Sequence, residues 1–205
     1  MKIVLLVEGS SEKQLPAFLK RWLDAQTLPQ RVGIHAVNFD GNAKLLREAA
    51  QRTRLHLQEP DTLAVFSLLD LYGLPIEYPS HASDRNARIV FARNYVTGLI
   101  DQPDRPRFHS HFAVHEVEAW LLSDRGLFPN INLPAKCDRP EEVDFDTPPA
   151  RLLDQLMSAG RGRGYKKKTM AAALLPKLDP NLVYQKCPHF KQMMDDMLTV
   201  ARQSQ

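Results

Sequence analysis

Apolar and polar positions along the first 125 residues come in blocks whose period switches between that of a buried strand and that of a helix. Ile3 to Val7 is an unbroken apolar run closed by Glu8, which predicts a strand over residues 2–8 buried on both faces. Leu15, Phe18, Leu19, Trp22 and Leu23 then recur at helical spacing and predict a helix over 12–26. A second strand is expected over 33–39, then a turn at Gly41-Asn42 and a helix to about Leu57, striped by Leu45, Leu46, Ala49 and Ala50. Thr62 to Leu69 is nearly all apolar and stops at Asp70; residues 84–101 read as helix and Phe108 to Val114 as a fourth strand. Four strands, each followed by a helix, predict an α/β fold with a mostly parallel sheet flanked by helices.

The pattern changes near Arg125. Residues 126–146 carry several prolines and little periodicity, which predicts a loop or linker crossing the surface. Residues 147–205 read as an α-helical part packed on the first, with helices near 148–159, 167–178 and 188–202. The expected organisation is therefore an α/β domain over 1–125, a linker over 126–146 and a helical subdomain over 147–205.

Hydrophobic residues make up 43% of the chain and charged residues 25%, as in ordinary globular proteins. No apolar run approaches the roughly 20 residues that cross a membrane. The apolar run at the N-terminus is too short for a secretory signal. Cys137 and Cys187 lie far apart without metal-ligand spacing, so a reduced, cytoplasmic setting is expected. A net charge of +3 is too small to argue for nucleic acid without regard to where the cations sit.

The candidate chemistry is acidic. Glu8 follows the first strand, Asp70 the third, and Glu116 with Glu118 the fourth, while Glu12 stands at the start of the first helix. Parallel strands end on one side of a sheet, so these acids are expected to meet in one cleft. Any one of them alone reads equally as a turn former, a helix cap or a solvent-facing residue. Together they need compensation, and Mg²⁺ or Mn²⁺ supplies it through the oxygen ligands such ions prefer.

The Val7-Glu8-Gly9-Ser-Ser-Glu12 start and the strand ending in Asp70 resemble the Toprim domain found in topoisomerases, primases and OLD-family nucleases. With Asp70-Leu-Tyr72-Gly-Leu-Pro75, Glu116-Val-Glu118-Ala-Trp120 and Cys187-Pro-His-Phe190, the whole chain resembles a small bacterial Toprim-like family. The resemblance implies that Glu8 is a metal ligand or general acid/base, and that Glu12 is the second glutamate of the OLD-type signature. It implies that Asp70 is the first acid of the Toprim Asp-x-Asp pair, whose second position is Tyr72 here. A protonated phenol is a poor Mg²⁺ ligand. Three outcomes stay open: Glu116 or Glu118 supplies the missing oxygen, one metal binds weakly, or catalysis is lost. A lysine beyond the acids assists OLD-type nucleases, and one of Lys166 to Lys168, with Lys167 taken as the candidate, resembles it in role. The resemblance further implies a nuclease effector working with a separate ATPase in phage defence by abortive infection.

Gly160 to Lys168 places Arg161, Arg163, Lys166, Lys167 and Lys168 around Tyr165, a pattern suited to phosphate contacts and base stacking, and equally to a solvated loop. Arg85, Arg88 and Arg93 read as an exposed helix face or as an extension of that positive rim. His109 and His111 share a strand face and read as structural; His115 stays open because it abuts Glu116. The function expected is metal-dependent phosphoryl transfer by a nuclease acting on DNA or RNA, as a monomer or homo-oligomer. A non-catalytic Toprim-like module that binds nucleic acid or a partner is the alternative.

Overall fold

The computed structural model describes residues 1–9, 14–71, 73–114, 117–143, 147–159 and 164–203, with only the backbone of Lys167 and Lys168. Glu12, Glu116, Arg161, Arg163 and the side chains of Lys167 and Lys168, as well as Tyr72 and His115, lie outside the described residues. Strands β1 (Lys2–Val7), β2 (Gly33–Asn38), β3 (Thr62–Asp70) and β4 (Phe108–Ala113) form one sheet in the order β2-β1-β3-β4. Every neighbouring pair is parallel. The central strands are apolar at successive positions because both faces are covered.

The two faces divide the helices. Ile3, Leu5, Val7, Phe66 and Leu68 point to one side, where α1 (Leu15–Asp24) buries Leu15, Phe18, Leu19, Trp22 and Leu23 against them. Val4, Leu6, Val65, Leu69 and Phe112 point to the other, beneath α2 (Asn42–Leu57) and α3 (Arg85–Gly98). Asp84 caps α3 by accepting the backbone N–H of Ala87 at 2.8 Å.

The α1 face carries a second layer. It contains α4 (Glu118–Leu122), α5 (Pro149–Ala159), α6 (Lys167–Leu174), α7 (Pro180–Lys186) and α8 (Pro188–Gln203). Trp120, Phe190, Met193, Met194 and Met197 join the β1 and β3 side chains in one continuous core. Phe18 stands 6.1 Å from Trp120 and 5.7 Å from Phe190, centroid to centroid. Arg21 on α1 donates to the carbonyls of Pro176 and Leu178, at 2.9 and 2.6 Å, which ties the first helix to the turn between α6 and α7.

The segment expected to be a surface linker is built differently. Between Arg125 and Glu142 it winds through three short 3₁₀ turns. Phe128, Leu133, Cys137 and Val143 are buried in the same core as α1 and α8. No described helix is long and apolar enough to cross a membrane.

Candidate functional site at the strand carboxyl ends

The connection from β1 runs through α1 to β2 on one side, whereas β3 leads through α3 to β4 on the other side and the opposite face. Chain directions therefore diverge between β1 and β3, which makes their carboxyl ends the topological switch point where open α/β sheets place their ligands. Glu8 directly follows β1 and Asp70 ends β3. Val7 pairs with Leu68, so the two acids leave adjacent strands within about one residue, or roughly 3.3 Å along the strand, of each other. Both are half-buried.

The β2–α2 turn is fastened against this spot. The backbone N–H of Phe39 donates to the Val7 carbonyl at 3.2 Å, and that of Gly41 to the Glu8 carbonyl at 2.8 Å. Asp40 and Gly41 take φ of 57° and 128° to make the turn, a conformation cheap for glycine and tolerated by aspartate. The N-terminus of α2 thus opens at the same edge as the two carboxylates, with its unpaired N–H groups and positive dipole end. Its first turn holds no acid. It holds Lys44 instead, which makes no ion pair among the described residues and stands on the unfavourable end of the dipole. Asn42 is only 4% exposed, yet among the described residues neither its amide oxygen nor its nitrogen has a hydrogen-bond partner. Gly73 approaches it so closely that a Cβ there would sit 2.9 Å from Asn42 Nδ2. Asn42 and Lys44 escaped the sequence reading because both look like ordinary first-turn residues; only the docking of α2 beside Glu8 singles them out.

Glu118 lies on α4, just past β4, and is 1% exposed. The Tyr165 hydroxyl donates to its Oε1 at 3.1 Å. Tyr165 itself is 9% exposed, so its ring is part of the core and offers no face to a stacking base. Its bond to Glu118 fixes the end of the basic segment beside α4, and Lys166 next to it is exposed. A second polar group stands elsewhere on the sheet: the ligand atoms of His109, His111 and Asp196 all lie within 4.8 Å of one another, a set that could hold a metal ion. The two histidines share a strand face as their spacing predicts, but Asp196 reaches them from α8, far away in sequence.

A family model for a domain of unknown function (DUF4276) matches residues 7–198, and the chain belongs to that family. No curated protein matches it. Two solved structures of the C-terminal region of the Xanthomonas campestris pv. campestris OLD protein are similar in part. The one phased with platinum is 18% identical with a TM-score of 0.39, covering 98% of this chain and 91% of that one. The one phased with mercury is 17% identical with a TM-score of 0.35, covering 95% and 97%.

Proposed function

We propose that this member of the family is a divalent-metal-dependent phosphoryl-transfer enzyme, a nuclease, whose site is the crevice between the ends of β1 and β3. The observation that supports the reading is that Glu8 and Asp70 leave adjacent parallel strands at one topological switch point, beside the N-terminus of α2. Carboxylate oxygens suit Mg²⁺ or Mn²⁺, and the donor set at Glu8 and Asp70 is of that hard kind. Such an ion, when bound, neutralises phosphate charge and lowers the pKa of bound water. Glu8 and Asp70 would hold such an ion through their carboxylate oxygens. The N–H groups of α2, with Lys44 and the Asn42 amide, orient a phosphate against that edge. Glu12 and Glu116 complete the ligand set in this proposal. Lys167, with Arg161, Arg163, Lys166 and Lys168, offsets charge on the nucleic-acid backbone. Glu118, held by Tyr165, serves by positioning α4 rather than by meeting substrate. Relation to the Toprim domain, a separate ATPase partner and a role as effector in phage defence extend the proposal on the sequence resemblance alone.

The alternative, a non-catalytic module, is favoured by one feature: Glu118, a candidate to replace the acid missing at Tyr72, is buried and engaged by Tyr165. The two readings separate in one experiment. Radiolabelled single- and double-stranded DNA and RNA are incubated with the protein and Mg²⁺ or Mn²⁺, alongside Glu8→Gln and Asp70→Asn. The nuclease reading expects metal-dependent cleavage that falls at least about 100-fold in both variants, with circular dichroism unchanged. Wild-type protein that binds these substrates without cutting them leaves the binding module.

A further inference from the structure

We propose that His109, His111 and Asp196 form a Zn²⁺-type transition-metal site that joins the edge strand β4 to the C-terminal helix α8, separate from the crevice at Glu8 and Asp70. His109 and His111 stand two residues apart on one face of β4, with their rings held nearly parallel to Phe66. The interplanar angles are 12° and 10°, with centroids 4.5 and 5.6 Å away. That stacking fixes where the imidazole nitrogens point. Asp196 on α8 brings its Oδ2 to 3.2 Å from His111 Nε2. Among the described residues the buried Nε2 makes no well-aligned hydrogen bond, even to this close neighbour. Two ligands converging on a common point look like this. Around a tetrahedral zinc with bonds of about 2.0–2.1 Å, ligand atoms lie roughly 3.3 Å apart. The ligand atoms of His109, His111 and Asp196 already lie within 4.8 Å of one another, so a shift of about an ångström brings them to that spacing.

Two imidazoles and one carboxylate are a set that Zn²⁺ takes readily and Mg²⁺ does not. The ionisable groups facing the set are Arg93 from α3, whose Nη2 donates to Gln192 at 3.2 Å, and His189 at the start of α8, whose pKa burial lowers. Arg93 opposes a cation and sets an upper limit on affinity.

Three protein ligands leave a coordination position open. All three residues line one small groove of about 170 Å³ together with Arg93 and Gln192, and His109 and Asp196 also border a neighbouring groove of about 410 Å³ with Arg107 and Thr199. His109 pairs with Phe66 and His111 with Leu68, below the strand ends, so the site does not share the crevice of the proposed nuclease.

The test uses full-length protein stripped of metal and titrated with Zn²⁺ by calorimetry and with Co²⁺ by visible absorption. Wild type is expected to bind Zn²⁺ saturably, to show the intense absorption of low-coordinate Co²⁺, and to melt at a higher temperature when Zn²⁺ is present. His109→Gln and Asp196→Asn, both at partly exposed positions, should each weaken Zn²⁺ at least about 100-fold, since a lost ligand costs more than a lost supporting contact. Glu8→Gln should bind Zn²⁺ as wild type does, and excess Mg²⁺ should not compete. Folded wild type that binds no Zn²⁺ overturns the proposal. So does Zn²⁺ binding that survives both ligand changes, or that disappears in Glu8→Gln.

Discussion

Tyr165 sits where an aromatic among five cations looks ready to stack on a base, yet its ring is core and its hydroxyl serves a buried carboxylate. The two roles predict opposite results for Tyr165→Phe. A stacking ring would be preserved by phenylalanine, with stability and nucleic-acid binding both unchanged. The observed contact predicts a loss of about 1–3 kcal/mol in urea unfolding, because Glu118 loses a donor in a place water does not reach. Lys166→Ala, one residue away and exposed, should stay within about 0.5 kcal/mol of wild type. The sequence could not separate these roles, since the partner that buries Tyr165 comes from α4, far earlier in the chain. Glu8 and Asp70 were legible because they end apolar runs, and parallel strands end together. Asp196 was not, because on α8 it looks like any acid on the polar stripe of an amphipathic helix.

At the scale of elements, the strand runs were readable to within about a residue and most helices to within a few, because their apolar spacing follows a fixed period. Residues 126–143 follow none. Phe128, Leu133, Cys137 and Val143 are buried at irregular intervals set by 3₁₀ turns, so a core segment looked like a linker. That segment also supplies the N-terminal cap of α8: the backbone N–H groups of His189 and Phe190 donate to Glu141 at 2.8 and 3.2 Å. Burial is the larger influence on this carboxyl and pushes it up to about 7 from 4.5, although the two N–H bonds pull the other way. The folded protein therefore binds more protons than the unfolded chain between those values. The stability this confers is complete below about 4.5 and is lost as pH rises through about 7. Glu141→Gln lacks that titration. Wild-type stability minus that of the variant, from denaturant melts at pH 5 to 8.5, should fall with rising pH by roughly 3 kcal/mol. A difference independent of pH would mean that Glu141 is ionised throughout.

On the scale of the whole molecule, α1 and the last five helices share one face of the sheet, and this decides whether the chain is one folding unit or two. Residues 1–125 contain all four strands and α1 to α4. They lack Phe190, Met193, Met194 and Met197, which close the core over Phe18 and Trp120. They also lack the carbonyls that Arg21 holds from the α6–α7 turn. Fully burying each large side chain is worth about 1.5–3 kcal/mol, so exposing several at once exceeds the net stability of about 5–15 kcal/mol typical of a domain. The α2 and α3 face cannot compensate, because its core is complete already. The full chain should therefore unfold in one calorimetric transition with van't Hoff and calorimetric enthalpies equal, and a fragment of residues 1–125 should show no cooperative melt. Two resolved transitions, or a fragment that melts cooperatively by itself, would instead make the sheet with α1 to α4 an independent domain. The crevice at Glu8 and Asp70 would then be expected to survive removal of the C-terminal helices, whereas the His109–His111–Asp196 group, which spans β4 and α8, would be lost with them.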